Sequence, residues 1–183
     1  VLDARCEQGR VATELVDRDA AEATAYTRTA SPGAAIEELR EWVPLAVVTA
    51  GAHGAYAADA ATGETAQVAC VPVEVLDPTG AGDVFLAGLM AGELAGWSLI
   101  HRLRFATLCA ALSVRGFGGA LASPGWIDIA QWWPAAKSDA GFARDYEFLD
   151  DVLPTKYQRP VSRAVATLGF ATPIPRPLRD EPR

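Results

Sequence analysis

Apolar residues recur along the chain in short blocks whose spacing predicts strands. The run Leu45–Thr49 is rich in β-branched residues and is bounded by a turn, which is typical of a buried parallel strand. Residues 55–57 follow a tight turn as a return strand, and residues 67–75 alternate between apolar and polar side chains. Two shorter extended pieces are predicted at residues 1–3 and 11–16.

Helix-start signals lie between the strands predicted at residues 11–16 and 45–49. Asp19 precedes a run of good helix formers with Glu22 three residues later, and on the residues alone helix capping is the favoured role of this pair. Ser31 and Pro32 then combine a capping serine with a proline at the first helical position. They predict an amphipathic helix over residues 34–42.

Two longer helices are predicted over residues 82–94 and 98–115. Both are apolar on more than one face, so both are expected to be buried. The alternation of strands and helices predicts an α/β fold, with a mostly parallel sheet covered by helices on both faces.

Length and charge narrow the class of protein. The chain has 183 residues, half of them apolar, which is enough for one main domain with a sizeable core. Its 23 acidic and 16 basic residues give a net charge of -7, which argues against a nucleic-acid or anionic-membrane binder. No signal peptide or membrane span is expected from the sequence.

Cysteine and histidine positions offer no metal or disulfide pattern. Cys6, Cys70 and Cys109 lie far apart, as expected for reduced thiols in a cytoplasmic protein. His53 and His101 have no second ligand at metal-binding spacing. No metal site built from a side-chain cluster is therefore predicted.

Composition changes after residue 125, which suggests a division into residues 1–125 and a C-terminal extension, 126–183, that is partly irregular. Trp126, Trp132 and Trp133 cluster at its start, and packing is favoured for them over a sugar-stacking role. The end of the extension holds half of the 12 prolines and is expected to be an extended arm.

The strongest chemical signal is the stretch 77–83, Asp-Pro-Thr-Gly-Ala-Gly-Asp, which links a predicted strand to a predicted helix. Backbone N–H groups of Gly80, Ala81 and Gly82 at a helix N-terminus can hold an anion. Asp83 beside them can take a proton from an attacking hydroxyl. This pairing suits phosphoryl transfer, in which catalysis is mainly positioning and charge stabilisation.

At residues 77–85 the sequence resembles the C-terminal signature of the ribokinase-like (PfkB) carbohydrate kinases, D-T-x-G-A-G-D followed by an aromatic residue. Neighbouring segments resemble the same family and extend the likeness from residue 1 to about residue 124: residues 47–55, 92–99 and 110–124. The resemblance implies a three-layer αβα core of the ribokinase type. It also implies ATP as the phosphoryl donor.

The resemblance assigns roles to individual positions. Asp83 would be the catalytic base, with Gly80, Ala81 and Gly82 as the anion hole. Residues that would border the nucleotide are Thr49, Gly51, Gly54, Thr107 and Gly116, although Thr107 stands where the family often has asparagine.

Two ion sites are also implied by the resemblance. Asp19 and Glu22 match the family's Asn-x-x-Glu, which influences Mg²⁺ and phosphate binding, with Asp in place of Asn here. The monovalent-cation site that many members carry, for K⁺, would involve Asp77, Thr79, Gly118 and Ser123.

The family's first half, with its glycine-pair motif, sugar contacts and β-sheet lid, has no counterpart in these residues. The expected function is therefore ATP-dependent phosphorylation of a sugar or nucleoside hydroxyl by a fragment or truncated member, with a homodimer compatible with the resemblance. Two alternatives stay open: a non-catalytic nucleotide- or phosphosugar-binding module, or a subunit that needs another chain for its substrate site. An assembly subunit that docks through its Trp- and Pro-rich tail is a further alternative.

Overall fold

The computed structural model describes residues 15–153, so the predicted strand at 1–3, Cys6 and the proline-rich tail lie outside the described residues. Four strands form one sheet in the order β1-β2-β3-β4. Their bounds are β1 Leu15–Asp19, β2 Leu45–Thr49, β3 Ala55–Asp59 and β4 Thr65–Val68. The helices of the described region are α1 Ala20–Thr27, α2 Pro32–Leu39, α3 Ala81–Leu94, α4 Leu99–Ser113, α5 Trp126–Ala136, α6 Ala140–Asp145 and α7 Leu149–Val152.

The capping residues start the first two helices as predicted. Asp19 is the N-cap of α1, and its Oδ1 accepts a hydrogen bond from the Glu22 N–H at 2.8 Å. Ser31 caps α2 by accepting from the Ala34 N–H at 3.2 Å, with Pro32 in the first turn.

The sheet is not mostly parallel, and that prediction is wrong. Only β1 and β2 pair in parallel, whereas β2–β3 and β3–β4 are antiparallel. The reason is the length of the connections. A five-residue turn joins β2 to β3 and another joins β3 to β4, which is too short for the crossover that parallel neighbours require.

The strand predicted over residues 67–75 is also shorter than expected, since β4 ends at Val68. Residues 69–75 form no backbone-to-backbone hydrogen bond with other residues of the described region. Val71 is nevertheless buried against the helices and Val73 packs partly on the same cluster, whereas Val75 is exposed. Alternating burial therefore occurs here without a paired strand.

Apolar side chains pack on both faces of the sheet. One sheet face packs against α1 and α2 through residues such as Val48 and Ile36. The other face packs against α3 and α4, where Val47 lies in one cluster with Phe85 and Leu103. This arrangement is the predicted αβα core.

A further layer covers the outer side of α4. Helices α5–α7 bury Ile129, Trp133 and Leu149 against α4 residues such as Leu108. Trp132 packs edge-on against Phe142 and Tyr146. The packing interpretation of the tryptophans is thus confirmed for Trp132 and Trp133.

Helices α3 and α4 approach each other closely at Gly88. A Cβ atom added to Gly88 would lie 2.9 Å from the Ala106 Cα, so the two backbones leave no room for a side chain. Near the other end of this contact, buried Arg102 of α4 pairs with Glu93 of α3 and with Asp59 of β3.

We expect Gly88→Ala to lower the free energy of unfolding by about 2 kcal/mol, because the methyl group would force the helices apart. Gly33→Ala in α2 is the matched control, since nothing lies within 4 Å of its added Cβ. A helical Gly→Ala change of this kind should leave stability unchanged or raise it by up to about 1 kcal/mol. Urea denaturation measures both, and a Gly88→Ala protein at least as stable as the parent would contradict the packing argument.

Candidate functional site

The first turn of α3 leaves backbone donors without partners. Gly80 is its N-cap with φ +76°, a left-handed conformation that glycine adopts without strain. The Ala81 N–H donates to the Pro78 carbonyl at 3.2 Å. The N–H groups of Gly82 and Asp83 donate to no other residue in the described part of the chain. Together with the helix dipole, these groups favour an anion.

Asp83 places an exposed carboxylate at the same end of α3. The next two residues, Val84 and Phe85, are buried and belong to different apolar clusters. The turn is therefore anchored on its inner side, while Asp83 and the free N–H groups face the exterior. A base beside an anion site is the arrangement that phosphoryl transfer to a hydroxyl requires.

Asp77 joins the glycine-rich turn to a loop 41 residues further along the chain. Its Oδ1 accepts from the Thr79 N–H at 3.0 Å, and its Oδ2 accepts from the Gly118 N–H at 3.2 Å. The Val114 carbonyl, at the end of α4, accepts from the N–H groups of Leu76 at 2.8 Å and Asp77 at 3.1 Å. The turn is thus tied to α4 on the strand side.

These hydrogen bonds also set the ionisation of Asp77. Hydrogen bonds from the Thr79 side chain and backbone, and then from the Gly118 backbone, lower the pKa of the Asp77 carboxyl below its ordinary value. The carboxylate form is the one that accepts all of them.

The loop after α4 carries two more predicted residues, Gly116 and Ser123, and also Gly119. Gly119 lies against Thr79, since an added Cβ would sit 3.5 Å from the Thr79 carbonyl oxygen. Gly116 donates its N–H to the Ser113 carbonyl at 3.2 Å, and Ser123 is half-buried near the end of the same loop. The structure thus brings Thr79 and Gly118 together, because both contact Asp77. Gly116 and Ser123 lie on the same loop as Gly118.

A second group of predicted residues lies at the carboxyl ends of β1 and β2. Asp19 and Thr49 end their strands and are register partners in the parallel pair. Exposed Glu22 follows in the first turn of α1. Thus the carboxylates of Asp19 and Glu22 lie at the same end of the sheet as Thr49, which comes from a distant part of the sequence.

The turn after β2 is built around Gly54. The Gly54 carbonyl accepts from the Ala50 N–H at 2.8 Å, and its N–H donates to the Gly51 carbonyl at 3.1 Å. An added Cβ would lie 1.9 Å from the Val68 carbonyl oxygen, so β4 packs directly on this turn. Gly51, by contrast, is exposed and open, with nothing within 4 Å of an added Cβ.

The Thr107 side chain makes its hydrogen bond away from both the glycine-rich turn and the carboxyl ends of β1 and β2. It is 5% exposed in the middle of α4, and its hydroxyl donates to the Leu103 carbonyl at 2.9 Å. The hydroxyl is thus used within the helix.

Sequence reasoning missed the Val114 carbonyl, which holds Leu76 and Asp77 in place. A backbone acceptor of this kind carries no residue-type signal, so only the structure could identify it. Arg102 was also missed, although a basic residue on a face of α4 that is otherwise mostly apolar was a usable signal.

Within residues 15–153, no group of three or more His, Cys, Asp or Glu side chains is arranged to hold a metal ion. Over the same range, none of the helices has the length and apolar character needed to cross a bilayer.

Comparison with known proteins identifies the family. The model of the pfkB family of carbohydrate kinases matches residues 15–125, which is more than half of the chain. The chain belongs to the pfkB family. The matched range contains the α3 turn, the Asp77 loop contact and the β1–β2 edge described above.

Individual pfkB relatives agree with this. A ribokinase of Schizosaccharomyces pombe is 34% identical over 83 residues, covering 45% of this chain and 26% of the relative. Fructoselysine 6-kinase of Escherichia coli is 39% identical over 72 residues, covering 39% of this chain and 27% of the relative. The matched part therefore spans about a quarter of each curated relative.

A solved structure supports the fold. A candidate ribokinase II of E. coli, in complex with ATP and Mg²⁺, superposes with a TM-score of 0.58 at 28% identity and covers 66% of this chain and 39% of its own. The ribokinase-like fold predicted from the sequence is confirmed for the described residues, apart from the parallel sheet.

The Asp77 contact predicts a pH dependence at this site. Because the folded-state pKa of Asp77 is lowered, its hydrogen bonds should persist above its ordinary pKa and be lost as the pH falls through the lowered value. NMR should show the Asp77 carboxyl carbon and the Gly118 amide titrating together below pH 3.8, the ordinary value.

In Asp77→Asn this common titration of the Gly118 amide should vanish. If the parent Asp77 titrates at or above its ordinary value, or if Gly118 titrates unchanged in Asp77→Asn, the assigned contact is wrong.

Proposed function

We propose that this chain carries the nucleotide-binding and base-bearing part of an ATP-dependent kinase that phosphorylates a hydroxyl of a sugar or sugar-like small molecule. The observation that supports it most is the α3 N-terminus, where the exposed Asp83 carboxylate lies beside unpaired N–H groups of Gly82 and Asp83. Membership of the pfkB family supplies the reaction class.

In this proposal Asp83 accepts the proton of the acceptor hydroxyl as its oxygen attacks the γ-phosphorus. The bond between the γ-phosphorus and the bridging oxygen breaks, and ADP leaves. The free N–H groups at the start of α3 stabilise the negative charge that spreads over the transferring phosphoryl group. Gly80 makes this possible by turning the chain into α3 in its left-handed conformation.

In this proposal a magnesium ion binds at the carboxyl edge of β1 and β2. Asp19 and Glu22 are exposed there, and Mg²⁺ is commonly held by one or two carboxylates together with waters and substrate phosphates. When bound, the ion would neutralise phosphate charge. Thr49, Gly51 and Gly54 are proposed to border the nucleotide on the same edge.

The proposal also includes a monovalent cation, K⁺, at the joined loops of Asp77 and Gly118. These loops are held together by the Asp77 carboxylate, which sits beside the glycine-rich turn. A cation here would lie next to the anion site and add to its positive field.

The test is Asp83→Asn in the 183-residue chain. We expect kcat to fall about 100- to 10,000-fold, because the base is lost. The Kd for Mg-ATP should change less than about threefold, because the backbone donors remain. Turnover should be measured with ribose, fructose, fructoselysine and a nucleoside as acceptors, and ATP binding by calorimetry.

Asp151→Asn is the matched control, since Asp151 is an exposed acid in α7. It should keep parental turnover and ATP affinity. Parental turnover in Asp83→Asn would overturn the role of Asp83. Binding of ATP by the parent chain without transfer to any acceptor would instead identify a non-catalytic nucleotide-binding module.

A further inference from the structure

A cleft of about 340 Å³ opens beside the edge strand β4, away from the residues assigned above. One wall is the chain from Gln67 to Cys70, the second is Arg104 of α4, and the third is α6 with Tyr146. None of the proposed catalytic, nucleotide or cation residues lines it. Its volume is at the lower end of small-molecule sites and suits a compound of monosaccharide size.

Tyr146 is the polar group at the base of this cleft. The residue is 5% exposed, and its hydroxyl forms no hydrogen bond with any other described residue. The hydroxyl oxygen is not fully enclosed, and Tyr146 lines the cleft. A ligand hydroxyl in the cleft would hydrogen-bond to this phenol, which can both donate and accept. Burial raises the pKa of Tyr146, which keeps the phenol protonated and able to donate.

The rim of the cleft presents mainly hydrogen-bond acceptors. Gln67 donates its Nε2 to the Tyr56 hydroxyl at 3.3 Å, which leaves the Gln67 amide oxygen available. Asp139 uses Oδ1 to accept the N–H groups of Gly141 and Phe142, at 2.8 and 3.1 Å, which leaves Oδ2. These groups would accept bonds from ligand hydroxyls.

The charges that line the cleft disfavour an anionic ligand and do not strongly favour a cationic one. Arg104 is the basic residue of the lining, and it donates to Asp145 at 3.0 Å, so this pair largely cancels. Asp139 then leaves a weakly negative rim. The half-buried Phe142 ring offers an apolar surface for the C–H face of a compact ligand.

We propose that this cleft is a second ligand site that binds a small, uncharged polyhydroxy compound through the Tyr146 hydroxyl and the Gln67 and Asp139 side chains. The ligand's hydroxyl groups donate to the rim acceptors and pair with the phenol. The site is independent of phosphoryl transfer at Asp83.

The experiment is an amide NMR titration of the isotope-labelled 183-residue chain with myo-inositol and sorbitol up to about 50 mM, a range suited to millimolar affinity. We expect saturable shifts at Val68, Ala69 and Gly141, and weaker or no shifts there with inorganic phosphate or putrescine. Tyr146→Phe should weaken binding about fivefold, the usual effect of one hydrogen bond.

Tyr26→Phe is the matched control, because Tyr26 is an exposed tyrosine of α1 and not part of the cleft. It should bind as the parent does. Gln67→Leu, at the exposed rim, gives a second variant that should also weaken binding and does not depend on the folding of Tyr146→Phe.

Three results would overturn the proposal. The first is the absence of saturable shifts at these amides with either polyol. The second is polyol binding that neither Tyr146→Phe nor Gln67→Leu weakens. The third is a stronger response to phosphate or putrescine, which would assign the cleft to a charged ligand.

Discussion

The contact between α3 and α4 is the constraint on which the rest of the structure depends. At Gly88 the helices are close enough that a single methyl group would meet the Ala106 backbone at 2.9 Å. Arg102 adds an electrostatic link, because its guanidinium pairs with Glu93 of α3 and with Asp59 at the end of β3. Helix α3 therefore has little freedom to slide or rotate, and neither does the glycine-rich turn at its start, where anion binding is proposed.

Helix α4 supports this turn from several sides because it is buried on several faces. One face packs on the sheet with α3, and another is covered by α5–α7. Its last carbonyl, that of Val114, holds Leu76 and Asp77, and Asp77 in turn holds Gly118. The C-terminal helices thus contribute to the candidate site indirectly, by burying the helix to which the site is attached.

The candidate site relies mostly on backbone groups, and this explains why a motif of seven residues was enough to predict it. Anion binding needs free N–H groups and a left-handed glycine, whereas the chemistry needs one carboxylate. The cleft beside β4 is different, since its polar atoms are side chains from β4, α4, α6 and the residues on either side of α6. No short sequence motif could therefore predict this cleft.

The sequence alone determined the features that depend on neighbouring residues. Helix starts at Asp19 and Ser31, the turn of residues 77–83 and the family resemblance all rest on local capping, glycine conformation and short spacing. The antiparallel direction of β3 and β4 follows from turns of five residues, which are also local, so the prediction of a mostly parallel sheet failed although the return strand at residues 55–57 was recognised. The tertiary structure alone decided that Thr107 is buried within α4, that Asp77 reaches Gly118 and that Tyr146 lines a cleft. Contacts across 41 residues depend on the packing of whole helices, and no local pattern records that packing.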